Sequence, residues 1–215
     1  MTKPLQSLTP KDLANASRKT IGHYQRSAQD FLEGTQNHDV SQNIDALLRH
    51  IQGDSPYDIL DLGCGPGRDL LAFRELGHQP VGLDGCAAFV EMATSRTGCT
   101  VWHQDFLELE LPPNVFDGVF ANASLFHVPT QELGRVLLDL YTCLKPGGVL
   151  FCSNPRGPDT ERFNGDRYGA FLEPATWTDF VVATGFSELE QYYRPKGRPR
   201  EEQPWFATVW RRPPA

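Results

Sequence analysis

The sequence predicts an α/β fold: a doubly wound, mostly parallel sheet of seven strands with an N-terminal helical lid. Three observations predict it. Between residues 55 and 155, short apolar runs alternate with stretches of helical periodicity, the pattern of crossover connections that cover a parallel sheet on both faces. The first run, Ile59-Leu60-Asp61-Leu62, ends in Gly63-Cys64-Gly65-Pro66-Gly67, a turn that reverses the chain where Cβ atoms would obstruct it. Two further strand-like segments, Glu188–Tyr193 and Phe206–Arg211, complete the seven.

Each element has its own signal. In residues 1–52, Ile21, Tyr24, Ala28, Phe31 and Leu32 recur at helical spacing, as do Ile44, Leu47, Leu48 and Ile51. Between them, Glu33 to Asn43 is densely polar and reads as a loop. The first strand runs into the glycine turn, and a helix follows over Asp69–Leu76. Val81-Gly82-Leu83-Asp84 is the second strand and Ala87–Thr97 the next helix; Trp102-His103-Gln104-Asp105-Phe106 closes the third strand. Val115–Asn122 is the fourth strand, and Gln131–Leu144 carries Leu133, Val136, Leu137 and Leu140 on one helical face. Lys145-Pro146-Gly147-Gly148 then turns into the fifth strand. A loop rich in glycine, charge and asparagine follows residue 155, then a helix over Ala175–Thr184.

The strands end in acids. A glycine-rich turn alone serves dinucleotides, phosphates and plain tight turns alike, although the N–H groups opening the next helix suit an anionic or polar ligand group. Asp61 closes the first strand, where an unpaired carboxylate is costly to bury; a cap or turn role is its alternative. Asp84 follows about 20 residues after the glycine turn, the place from which a doubly wound sheet reaches the two hydroxyls of a ribose. It equally suits the cap of the helix starting near Ala87. Asp105 and Phe106 pair an acceptor with a ring face, as an adenine requires; a solvated loop acid and a core aromatic are the plainer alternatives.

In their order, these segments resemble the successive motifs of class I S-adenosylmethionine-dependent methyltransferases over roughly residues 55–155. The resemblance implies a Rossmann-like methyltransferase fold with S-adenosylmethionine as cofactor and S-adenosylhomocysteine as product. It places the methionine part on Asp61, Gly63, Gly65 and Gly67, the ribose on Asp84, and the adenine on Asp105 and Phe106. Tyr24, Cys64, Arg68, Gly85 and Asn122 complete the expected cofactor contacts. The chain divides accordingly into one domain, 1–215, with a lid (1–52), a cofactor-binding half (55–155) and a substrate-side half (156–215).

Composition excludes several alternatives. A net charge of −7 over 215 residues disfavours a general nucleic-acid binder, which gains affinity by neutralising phosphates. No apolar run approaches the ~20 residues of a membrane span, and no signal-like apolar segment follows Met1. Five cysteines, odd in number and without metal-ligand spacing, fit a reduced, cytoplasmic setting and no metal. Monomer and homodimer are both open.

The acceptor side is expected on the rim after strands four and five. Asn122-Ala123-Ser124-Leu125-Phe126-His127 lacks the Asn/Asp-Pro-Pro-aromatic run expected of enzymes that methylate nucleobase amines, which turns the expectation to a small-molecule substrate. His127, Tyr192 and Asn122 are the candidate catalytic residues, His127 because its imidazole titrates near neutrality; packing at the start of the next helix is its alternative. His38, Asn154, Arg156, Tyr168, Arg194 and Arg200 are the candidate substrate contacts. Arg194 or Arg200, with Arg156 or Arg167, would clamp a carboxylate, with Tyr168, Tyr192, Tyr193 and Trp205 as ring walls. Gly34 to Asn43 resembles a segment of methyltransferases acting on ovothiol-type thiohistidines, which implies an imidazole nitrogen, sulfur or selenium as acceptor atom. Competing readings are a cofactor-binding regulator or partner without transferase activity, a protein or RNA methyltransferase, and a nicotinamide oxidoreductase.

Overall fold

The computed structural model describes residues 2–214. Helix α1 (Pro10–Arg26) starts at Thr9, whose side chain and Asp12 cap each other reciprocally, which satisfies otherwise orphaned N–H groups. It breaks at Ser27 into α2 (Ala28–Thr35), and α3 (Ser41–Leu48) follows. Only residues 36–40 connect these two, so the polar stretch read as a loop is mostly helix ends. Asp39 Oδ1 accepts from the Ser41 amide at 2.9 Å, and this local cap starts α3 among polar residues.

The alternating part then runs β1 (Asp58–Leu62), α4 (Arg68–Glu75), β2 (Gln79–Asp84), α5 (Ala87–Thr97), β3 (Val101–His103), β4 (Phe116–Asn122), α6 (Thr130–Cys143) and β5 (Leu144–Pro155). A hairpin follows, β6 (Thr160–Asn164) and β7 (Arg167–Phe171), then α7 (Pro174–Ala183), β8 (Ser187–Arg194) and β9 (Trp205–Arg211). The sequence reading took this hairpin for a loop. Its signal was Asn164-Gly165-Asp166, where Gly165 has φ +61° and Asn164 pairs with Arg167 across a two-residue turn.

The main sheet has the order β3-β2-β1-β4-β5-β9-β8. Strands β1 to β5 pair in parallel, and β9 is antiparallel to both β5 and β8. Side chains alternate between two apolar layers, as the period of a strand dictates. Leu60, Leu62, Val119, Ala121, Leu150 and Cys152 join the layer under α6 and α7. Ile59, Phe120, Val149 and Phe151 join the layer that holds Ile44 and Leu47 of α3 and Phe73 of α4. The order of the parallel strands reverses between β1 and β4, so the loops beyond their carboxyl ends part and leave a crevice. Helices α1 and α2 form its outer wall.

Candidate active site

Beyond the carboxyl ends of β1, β2 and β4 lies a cavity of about 660 Å³. The glycine turn forms its floor. Gly63 has φ +76° and Gly67, where α4 begins, φ +88°. A Cβ on Gly63 would sit 2.5 Å from Ser124 Cβ, so this position is closed to any side chain. Asp84 holds the turn in shape: one carboxylate oxygen accepts from the Gly65 amide (2.9 Å), the other from Cys86 (2.8 Å). Asp84 does not cap α5, whose N-cap is Cys86 without a side-chain cap bond; its carboxylate lines the cavity. Burial pushes its pKa up to about 6.

Asp105 and Phe106 line the cavity with Gly85 and Cys64. Asp105 Oδ1 accepts from the Leu107 amide at 2.9 Å, and its second oxygen accepts from the Ser17 hydroxyl of α1. Opposite them stands the face Ser17, Thr20, Ile21 and Tyr24 of α1, followed by Phe31 of α2. These α1 positions follow the i, i+3, i+4, i+7 rule, the signal that would have marked Ser17 and Thr20 in advance. The Tyr24, Phe31 and Phe89 rings meet at centroid distances of 5.4, 5.7 and 5.2 Å, so α1 and α2 are bound to α5 by aromatic packing.

His127 lines the cavity with both ring nitrogens occupied. Nδ1 lies 2.6 Å from the Tyr168 carbonyl and Nε2 lies 2.9 Å from the Tyr24 hydroxyl. A carbonyl only accepts, so Nδ1 carries the proton and Nε2 accepts from Tyr24. Burial above all, with the positive charges of Arg167 and His23 adding to it, pulls its pKa down to about 4. His127 is therefore neutral at physiological pH, and its basic lone pair faces the phenol. Burial raises the Tyr24 pKa in turn.

Asn122 also lines the cavity and belongs to a polar chain. Its Oδ1 accepts from Asn43 Nδ2 (3.0 Å) and its Nδ2 donates to Asp69 (3.2 Å), which Arg68 grips through two nitrogens at 2.6 and 2.8 Å. Tyr192 stands behind this chain and donates to Asn43 Oδ1 at 2.9 Å. It does not line the cavity, and burial raises its pKa.. Asp61, 1% exposed, lies under the glycine turn rather than on the cavity wall, and its Oδ2 has no partner among the described residues. Burial first, then the Asp69 charge, raises its pKa well above the usual carboxylate range.

The substrate-side expectations divide. His38 and Arg194 line the cavity. Arg156 and Arg200 do not: Arg156 donates to the Gln203 carbonyl (2.8 Å), and both guanidiniums lie over the Tyr193 ring, at 5.6 and 3.2 Å. The clamp drawn between them is corrected to a stack on Tyr193, since a guanidinium gains more on a ring face than in open solvent. Tyr168 is buried with its hydroxyl on Glu161 at 3.0 Å; only its carbonyl reaches the site, through His127. Asn154 turns toward a separate cavity of about 20 Å³. In place of these, Arg167, Phe126 and Trp205 line the main cavity. Among the described residues, no group of three His, Cys, Asp or Glu side chains is arranged to hold a metal ion.

The residues fit S-adenosylmethionine. The glycine turn leaves room on the cavity side that a Cβ on Gly65 would take, 3.7 Å from Phe31 Cε1. Asp84 has acceptor capacity for hydroxyls, and Asp105 with Phe106 offers an acceptor beside a ring.

Comparison with known proteins points the same way. Residues 59–148 match the methyltransferase domain family. Trans-aconitate 2-methyltransferase of Azoarcus sp. (strain BH72) is 31% identical over 160 residues, which cover 67% of this chain and 62% of that one. This chain thus spans less than two thirds of that relative's length. Among solved structures, the Burkholderia thailandensis 1,6-didemethyltoxoflavin-N1-methyltransferase, with 1,6-didemethyltoxoflavin and S-adenosylhomocysteine bound, aligns with a TM-score of 0.76 at 20% identity, covering 98% of this chain and 94% of that one. The cyclase SpnF aligns with a TM-score of 0.74 at 17% identity, covering 93% and 97%. At these identities the structural likeness speaks for the fold alone. Family match, fold and site geometry converge, and the chain carries a class I S-adenosylmethionine-dependent methyltransferase domain.

Proposed function

We propose that this chain transfers the methyl group of S-adenosylmethionine to a small-molecule acceptor bound in the same cavity. The observation that carries the proposal is the shared opening: Asp84, Asp105 and the glycine turn face one cavity with Tyr24, His127, Arg167 and Trp205. The bound cofactor supplies an activated methyl, so the chain need not build a nucleophile. Its residues orient the two partners and exclude water, which can contribute up to ~7–11 kcal/mol in ideal cases. The hydrogen bond to His127 Nε2 fixes the Tyr24 hydroxyl at the cavity wall, where its oxygen can accept a hydrogen bond from the acceptor.

For the acceptor we propose a small zwitterion of the thiohistidine kind, methylated on an imidazole nitrogen or on sulfur or selenium. The sequence resemblance of residues 34–43 supports this, and the name of the trans-aconitate relative supports a small polar acid more broadly. Cytoplasmic location and single-domain organisation belong to the same reading, supported by five free cysteines and by one main sheet built from residues 58–211.

Isothermal titration with S-adenosylhomocysteine tests the cofactor half; no heat on folded protein overturns it. Binding without transfer of a labelled methyl to any of a panel of small acceptors would turn the reading to a cofactor-binding protein. The fold's use by a cyclase makes that outcome concrete. The same titration has an expected pH dependence. Asp84 is held near a pKa of about 6 without ligand, and hydroxyl donors favour its ionised form, lowering the pKa in the complex. Affinity is therefore full above pH 7 and falls as pH drops through 6, by up to about tenfold per unit. In Asp84→Asn the slope is expected to disappear; a slope that persists assigns it to another group.

A further inference from the structure

Three arginines, Arg68, Arg167 and Arg194, line the cavity together with four aspartates. Each of these acids is committed. Asp69 is paired with Arg68, Asp84 accepts two backbone amides, Asp105 accepts from Leu107 and Ser17, and Asp39 caps Ser41. Two cavity-lining guanidiniums, Arg167 and Arg194, form no ion pair among the described residues. Asp166, next to Arg167, is taken by Arg26 at 2.6 Å. Arg194 has one hydrogen bond, to the Asp39 carbonyl at 2.9 Å. On a chain of net charge −7, two half-buried guanidiniums without a salt-bridge partner among the described residues are a local arrangement rather than a general field.

The wall between them is aromatic and continuous. Arg167 lies within electrostatic reach of Tyr24 and His127. The His127 ring packs on Phe126 at 3.9 Å between centroids, and Phe126 meets Trp205 edge-on at 6.4 Å. Trp205 is the cross-strand partner of Arg194 in the β8–β9 pairing, so the two side chains share a face of the sheet. A guanidinium therefore stands at either end of a run of three rings, with the Tyr24–His127 hydrogen bond at one end.

We propose that this wall is the acceptor subsite and that its ligand is a small molecule carrying a carboxylate beside a flat ring or conjugated body. The carboxylate pairs with Arg167 or with Arg194, and the flat body lies against Phe126 and Trp205. The proposal rests on the methyl-transfer reading only in calling the ligand an acceptor. Arginine suits the role because its fork matches a carboxylate through two hydrogen bonds, and partial desolvation strengthens them.

The test uses benzoate and its neutral isostere benzamide, titrated by calorimetry into full-length protein saturated with S-adenosylhomocysteine. Benzoate is expected to bind about tenfold or more tightly than benzamide, the worth of one charge-assisted hydrogen-bonded pair. Equal affinities, or no benzoate binding at tens of millimolar, overturn the proposal without any variant being needed. In Arg167→Gln and Arg194→Gln, each resaturated according to its own cofactor affinity and checked by thermal melt, the preference is expected to shrink to threefold or less in at least one. An undiminished preference in both variants assigns the carboxylate elsewhere and also overturns it. Failure of S-adenosylhomocysteine to bind would fall on the methyl-transfer reading; its binding beside indifferent benzoate and benzamide would fall on this subsite alone.

Discussion

Gly63→Ala is expected to lower the melting temperature by roughly 5–15 °C and to reduce S-adenosylhomocysteine binding below detection. Two costs add. The backbone at φ +76° is strained for any residue with a Cβ, by about 1–2 kcal/mol. The new methyl would lie 2.5 Å from Ser124 Cβ and 3.1 Å from Phe106 Cζ. Ser124 is buried on the turn after β4, so relief means moving backbone, at about 1–3 kcal/mol more. A chain of this length converts each kcal/mol into about 2–4 °C. The displaced groups are cavity walls, which is why binding fails along with stability. Gly34→Ala is the control: nothing lies within 4 Å of the added Cβ, and its helical site favours alanine by up to ~1 kcal/mol. A Gly63→Ala protein melting within a degree or two of the parent would show that the turn is softer than its geometry says.

Removing residues 1–39 is expected to weaken S-adenosylhomocysteine binding more than about a hundredfold while leaving a cooperative melt. The sheet and the buried residues of both apolar layers come from residue 44 onward, and of the deleted segment only the partly buried Leu5 packs on them, so the core does not need α1 or α2. The cavity does: the deletion takes away Tyr24 from His127, Phe31 from Phe89, Ser17 from Asp105, and the Thr20 hydroxyl that accepts from the Tyr168 amide at 2.9 Å. An independent readout accompanies it. Without the helices His127 is no longer buried, and its pKa should climb from about 4 toward the ordinary 6.5, visible as a histidine resonance that titrates near neutrality. Affinity within fivefold of the parent would make the prefix an appendage rather than a wall.

Sequence alone made the cofactor side legible because its constraints are local. Gly63 and Gly67 declare a backbone conformation, and Asp84 and Asp105 declare strand ends, each within a few residues of the feature that explains it. The cavity wall that holds Arg167, Arg194 and Trp205 depends on pairing that no short stretch encodes. Arg194 reaches the cavity because β8 pairs with β9 in the register that sets it opposite Trp205. Arg156 and Arg200, equally basic, are drawn to the Tyr193 face. Arg167 is positioned by a hairpin whose Gly165-Asp166 turn stands in the sequence among charged residues that mask it. Tyr192 illustrates a different failure: the strand was placed correctly, yet its hydroxyl meets Asn43 behind the wall, a contact between residues far apart in the chain.

The position of β9 between β5 and β8 also bears on how the molecule is made. Synthesis delivers β5 complete at Pro155, whereas its partner begins only at Trp205. Throughout that interval the nascent sheet presents Val149–Pro155 as an open edge with apolar residues on both faces, including Phe151 and Cys152. Open edges of this kind template association with other chains. Aggregation during expression is therefore expected to concentrate in intermediates that stop short of β9. Slowing translation between Arg156 and Pro204 should lengthen the exposure of that edge, whereas slowing it after Arg211 should not.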